Sequence, residues 1–320
     1  MKLQKVQDHL VQTKIFLLGV HVSKRLILPG FSGLSLHYVW NFFINGIQKG
    51  AITSRASSLS FNFFLALFPA IIFFFTLIPY VPFPHFQDQL LSLIKNILPN
   101  NAYQAVRTTI EDIVRHQRGE LLSFGFIAAL YFATNGVHAM IDAFNKSFHG
   151  IETRSFIKQR VISLILTLSL SFLVVTAIVL MITNEYLIKW MVHHAWIKSR
   201  TQLFIIVTFK WLMISALLFF TFSFIYYYGP AKKRKWHFIS AGSTLATLLS
   251  ILTSIGFSYF VNNFGQYNKL YGSMGTLIVV LLWIYFNSLI LLIGFELNAS
   301  INKAKAENET LHKRRSKLYR

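Results

Sequence analysis

Six stretches of the chain are each apolar over roughly 20 residues, the length an α-helix needs to cross a hydrocarbon layer about 30 Å thick. They run Ala56 to Tyr80, Leu121 to Ile141, Val161 to Thr183, Leu203 to Tyr228, Phe238 to Val261 and Thr276 to Asn298. A lone span in lipid must satisfy its own backbone hydrogen bonds, so each is expected to be a helix. Composition agrees: the chain is 54% hydrophobic and only 13% charged over 320 residues, too little charge for a soluble domain of this length. The expected fold class is all-α and integral to a membrane. The second stretch is the weakest, because Asn135 and His138 interrupt it.

The formal net charge of +20 has two readings. A nucleic-acid partner is one. The other is the Lys and Arg excess that cytoplasmic loops of membrane proteins collect. The distribution of the charges decides between them. Segments up to Arg55, between spans two and three, between four and five, and after Ser300 hold seven, four, four and seven Lys and Arg, or 22. The alternate segments hold four, three and one, or 8, with Lys210 inside the fourth span. Both termini are therefore expected in the cytoplasm, and topology accounts for most of the charge without nucleic acid. The chain divides into an N-terminal segment (1–55), a transmembrane domain (56–300) and a basic tail (301–320) expected to be mobile. There is no cysteine, hence no disulfide framework.

The flanking segments carry their own signals. "HYVWNFFINGIQKG", residues 37–50, suits a helix lying at the cytoplasmic interface. The loop from Val81 to Glu120 has one-sided helical spacing and predicts two short amphipathic helices broken at Pro99. Tyr226 to Tyr228 form an aromatic belt. The run Lys232, Lys233, Arg234, Lys235 that follows is placed for anionic lipid headgroups.

Within the spans, small residues mark where helices approach closely. Ser54, Ser58, Asn62, Ala66 and Ala70 recur every four residues in the first span; Gly242, Ala246, Ser250, Ser254 and Ser258 do so in the fifth. Both stripes are expected at helix–helix contacts, with Asn62 and the serines as candidates for a polar path. Pro69 removes a backbone donor and is expected to bend the first span. Tyr131, Asn135, His138, Asp142, Asn145 and His149 share one face of the second span. Asn135 and His138 are expected between helices, and Asp142 onward on a solvated face. Two ligands four residues apart do not complete a metal site, so no metal or cofactor is expected. Lys210 is placed to snorkel outward or to meet Glu185.

One carboxylate, Glu296, stands near the end of the sixth span, about 30 Å along it from Thr276. Arg55 starts the first span at the same expected depth. The two are expected to face each other, or Glu296 to share a polar cluster with Asn298, as a structural ion pair or a coupling carboxylate. Asn287, nine residues earlier, adds polarity to the middle of the span.

"RASSLSFNFFLALFPAIIFFF" (Arg55–Phe75) and "YGSMGTLIVVLLWIYFNSLILLIGFELNAS" (Tyr271–Ser300) resemble the opening and closing motifs of the YihY/virulence factor BrkB family. The order and spacing of six spans fit along nearly the whole chain. Asn287 and Ser288 depart from the small apolar residues the pattern carries there. The resemblance implies a six-helix protein of the bacterial cytoplasmic membrane. It also brings the family's older ribonuclease BN label, which the scattered acidic residues here do not support. No phosphate loop, zinc pattern or Ser-His-Asp arrangement is visible, so no catalytic residue is assigned. Three functions remain: a transporter or lipid-handling protein with a polar path, a membrane scaffold or envelope-assembly factor, and a membrane-anchored enzyme.

Overall fold

The computed structural model describes residues 21–80, 87–88, 91–92, 100–147, 154–193, 200–231, 238–263 and 273–318. Among them regular structure is helical and no strand occurs. The helices are α1 (Leu36–Lys49), α2 (Ile52–Leu77), α3 (Asn100–Arg115), α4 (Gly119–Ser147), α5 (Phe156–His193), α6 (Arg200–Tyr228), α7 (Ala241–Asn263) and α8 (Ser273–Leu318). A 3-10 turn, Ile78–Tyr80, follows α2. α2 and α4 to α8 are long and apolar enough to cross a membrane.

The spans pack as a closed ring: α2 on α4, α4 on α5, α5 on α6, α6 on α7, α7 on α8, and α8 back on α2. α8 also touches α4 and α1. The first and last described helices, α1 and the extension of α8, lie at one end of the ring, called here the terminal end. A two-residue corner joins α1 to α2. Gly50 caps α1 by donating its N–H to the Gly46 carbonyl at 2.9 Å, and Ala51 takes the left-handed conformation, φ 44°. A non-glycine residue there costs about 1–2 kcal/mol, which the packing of α1 offsets. α1 buries Val39 and Phe43, and Val39 joins Phe31, Leu34, Ile301 and Ala304 in a small core between α1 and the end of α8.

Several expectations change on this frame. The tail does not separate at residue 300: α8 continues to Leu318, and Ile301 and Ala304 are buried under α1. α1 rests on protein rather than on headgroups alone; among its described large apolar side chains only Trp40 is exposed. In the loop between the first two spans α3 is helical, while residues 93–99, with Pro99, lie outside the described residues. So do residues 232–237, with the basic run read as a headgroup site. α2 runs unbroken through Pro69.

The four-residue stripes fail in part, for a geometric reason. At 100° per residue a step of four advances 40°, so five positions sweep most of a half-turn. In α2 the buried face is Ile52, Arg55, Ala56, Leu59 and Ser60, whereas Ser54 and Ser58 are exposed and Ala66 is half-buried. In α7 Gly242, Ala246 and Ser250 are buried, but Ser254 and Ser258 are exposed. The contact residues at the buried end are small because the backbones nearly touch. A methyl group on Gly294 of α8 would stand 2.7 Å from the Gly242 carbonyl of α7 and 2.8 Å from Ala246 Cβ.

The main core is confined to the terminal half of the ring. Its centre is aromatic: Phe144 and Phe295 stack at 4.0 Å, and Tyr226 meets both edge-on. Among the described residues, burial on α5 ends at Thr167 and on α7 at Ser250. It begins at Ser223 on α6, and at Ser288 on α8 apart from Gly275.

Candidate functional site

At the terminal end the structure joins α2, α4 and α8 through charge. Arg55 is the fourth residue of α2 and points into the ring. One guanidinium nitrogen donates to the Ala143 carbonyl at 2.8 Å and to Ser147 Oγ at 2.7 Å; another reaches Glu296 Oε2 at 3.4 Å. Ser147 donates to the same carboxylate oxygen at 2.7 Å. Arg55 and Glu296 side chains are only 7% and 6% exposed. Charges this deep persist because each is paired and hydrogen-bonded; removing one partner of such a pair costs about 3–5 kcal/mol. The Arg55 Nε is buried without a partner.

α1 closes over this pair at a glycine. A methyl group on Gly46 would lie 3.0 Å from Glu296 Cδ, 3.1 Å from Cγ, and nearer still to Oε1. Gly50 meets Arg55 in the same way, its missing methyl 2.6 Å from a guanidinium nitrogen. Glycine at these positions lets the α1 backbone seal the ion pair from the terminal side. In the sequence Gly46 reads only as a weak spot in a helix, so its role was not visible there.

Asn298 does not join Glu296. Two residues apart on a helix is 200°, so it faces the other way. Its amide accepts from the Gly242 N–H at 2.8 Å and donates to Ser240 Oγ at 2.9 Å, closing the first turn of α7 from α8. Donors left free at a helix start need such partners.

A second polar group lies between α4 and α5. His138 Nε2 is 3.6 Å from Asp142 Oδ2, and His138 Nδ1 is 3.4 Å from Ser163 Oγ. Gln159, buried, donates to Asp142. Asp142 is thus engaged rather than merely solvated. Asn145 is engaged too, accepting the Ala231 N–H at 2.9 Å. Arg154, between α4 and α5, donates to the Gly229 and Pro230 carbonyls, and burial lowers its affinity for the proton.

The remaining candidates do not converge on these groups. Asn62 donates to the Ser58 carbonyl and Asn287 to the Trp283 carbonyl, each within its own helix at 2.8 Å. Asn135 and Lys210 are half-buried, and the Glu185 side chain lies outside the described residues. Among the described residues no three His, Cys, Asp or Glu side chains gather as metal ligands do.

Six apolar helices in a closed ring, knit at one end by a buried ion pair and an aromatic layer, define a multi-pass helical membrane protein. The chain belongs to the virulence factor BrkB family, whose model matches residues 43–318. It is 32% identical to a protein of Bacillus subtilis named putative ribonuclease-like protein YfkH, over 79% of this chain and 90% of that one. It is 25% identical to a UPF0761 membrane protein of Aggregatibacter aphrophilus, over 81% of this chain and 90% of the relative. A UPF0761 membrane protein of Haemophilus influenzae is 23% identical over 84% of this chain and 97% of its own length. No solved structure matches the chain.

Proposed function

We propose that the chain is a transporter or lipid-handling protein of the bacterial cytoplasmic membrane, held here with its cytoplasmic end closed and an apolar cleft open to the outside. The positive-inside split supports a cytoplasmic terminal end. The observation that carries the reading is the one-ended core. The helix faces buried near the terminal end are exposed farther along the same helices.

Whole-turn steps make the comparison direct. On α8 Ser288 is buried, while Leu281 and Leu277, seven and eleven residues earlier on the same face, are exposed. On α6 Ser223 is buried, while Leu212 and Ile205, eleven and eighteen residues earlier, are exposed. On α7 Ser250 is buried, and Ser254 and Val261 beyond it are exposed. We read these faces as turned toward the centre of the ring, so that their exposure describes a cleft rather than a lipid-facing exterior. Its lining is mostly leucine and isoleucine, which suits acyl chains better than a hydrated ion. Opening at the other end would require breaking the Arg55–Glu296–Ser147 contacts and lifting α1, as alternating access demands. The ribonuclease-like name is that of the Bacillus relative, and this reading does not rest on it.

The absence of cysteine makes the test simple. Single cysteines at Ser254, Leu281 and Leu212 should react with a membrane-impermeant maleimide added to intact cells. Cysteines at Leu252 and Ile255, on the opposite face of α7, should stay silent. Silence at all three inward positions would overturn the cleft.

A further inference from the structure

Among the described residues three buried hydroxyls remain without a hydrogen-bond partner: Ser223 on α6, Ser250 on α7 and Ser288 on α8. They are 1%, 4% and 3% exposed. This is not the habit of the molecule. Thr76, Thr134, Ser163, Thr167 and Thr247 are as buried, and each returns its hydroxyl to a carbonyl of its own helix. An unmade hydrogen bond in an apolar interior is costly, so an orphaned hydroxyl asks for an occupant.

The three sit in one layer. Tyr226 donates to the Leu291 carbonyl at 2.8 Å, and a methyl on Gly294 would stand 2.5 Å from the Tyr226 hydroxyl and 2.8 Å from Ala246 Cβ. Those contacts pin α6, α7 and α8 to one another. Ser223 is three residues beyond Tyr226, Ser288 three beyond Leu291, and Ser250 four beyond Ala246, each measured away from the terminal end. Each therefore lies about 4.5–6 Å, roughly one turn, past its own contact, which brings the three to similar depth in the ring. Each is also the last buried position on its face before the exposed stretch begins. The hydroxyls thus lie just beneath the floor of the cleft proposed above, on which this inference rests; each is enclosed in this state and meets an occupant by a turn of its side chain.

Charge narrows the occupant. α7 carries no charged residue, and neither do α6 from Trp211 to Tyr228 or α8 from Ser273 to Phe295. A phosphate settled there would be a buried charge without a counter-charge. The geometry points to a subsite in which Ser223, Ser250 and Ser288 hold the uncharged hydroxyl or ester oxygens of an amphiphile whose acyl chains lie against Leu212, Leu277 and Leu281. A hydroxyl can donate to an ester carbonyl and accept from an alcohol, so three suffice for a glycerol-like headgroup.

The test is a titration of purified protein in mild detergent with dioleoylglycerol and, separately, dioleoylphosphatidylglycerol, read by native mass spectrometry. The wild type should hold one saturable dioleoylglycerol in preference to the phospholipid. Each Ser→Ala change should weaken it roughly fivefold, and the triple S223A/S250A/S288A on the order of 100-fold. Without lipid the triple should melt at or above the wild-type temperature, since no bond is lost. No saturable dioleoylglycerol in the wild type, equal binding by the triple, or preference for the phospholipid each overturns the assignment. So does a lipid-free melting temperature lowered by more than about 5 °C, which would mean that the hydroxyls are structural. Should the triple fail to fold, Ser288→Ala alone carries the test. Maleimide labelling at Ser254→Cys keeps the two ideas apart: labelling with unchanged lipid binding leaves the cleft standing and removes the subsite.

Discussion

Replacing Gly46 by alanine separates the seal over the ion pair from ordinary helix energetics. Inside a helix a Gly→Ala change normally stabilises by about 1 kcal/mol. Here the new methyl would lie 3.0 Å from Glu296 Cδ and 3.1 Å from Cγ, with Oε1 closer. A free glutamate would swing aside. This one is held by Ser147 at 2.7 Å and Arg55 at 3.4 Å, and α1 cannot rise without opening the small core of Val39, Ile301 and Ala304. Overpacking of that kind costs about 1–3 kcal/mol, and loosening the carboxylate's hydrogen bonds adds about 1 kcal/mol. The expected net is a destabilisation of about 1–3 kcal/mol, a fall of several degrees in melting temperature in detergent. The decisive comparison uses a background with both charges removed, Arg55→Leu with Glu296→Ala. There the three carboxylate-side atoms the methyl would strike are gone, and Gly46→Ala should be neutral or stabilising by up to about 1 kcal/mol. Stabilisation in the wild type, or the same loss in both backgrounds, would refute the reasoning.

Two further outcomes follow from the same contacts. Glu296→Gln keeps the shape but leaves Arg55 buried without its counter-charge, and should lower folded yield on size-exclusion chromatography by an amount reflecting about 3 kcal/mol; an unchanged yield would argue that the pair serves coupling, not folding. Gly294→Ala places a methyl against the Gly242 backbone carbonyl and the Tyr226 hydroxyl, neither of which can yield cheaply. It should abolish the folded species, seen as loss of the monodisperse peak.

The architecture was largely legible because apolar length is a strong signal: six spans stand where the hydropathy puts them, with most boundaries shifted by a few residues and the sixth helix running on well past Asn298. The juxtaposition of Arg55 and Glu296 was legible too, since equal expected depth on two spans leaves few other partners for a buried charge. What escaped was rotation about helix axes. Counting by four hid the drift that turns Ser58 and Ser254 away from contacts. It also hid the 200° that sends Asn298 to α7 rather than to Glu296. The orphaned serines were beyond reach for a different reason. Their significance lies in bonds not made, and a sequence gives residue types without hydroxyl rotamers. Ser288 left one trace, as a polar residue where the family resemblance leads one to expect a small apolar one.

The continuity of α8 has a mechanical consequence. At 1.5 Å per residue its 46 residues span about 69 Å, roughly twice the hydrocarbon thickness. The eighteen residues beyond Ser300 add about 27 Å of unbroken rod on the far side of Glu296. A rod this stiff is a lever: a 10° swing pivoting at Ser300 carries its tip through about 5 Å. Ser288, Phe295 and Glu296 ride on one side of that pivot and the basic stretch from Lys313 to Lys317 on the other. Force applied at the tip is therefore delivered, with little loss, to the ion pair that closes the ring.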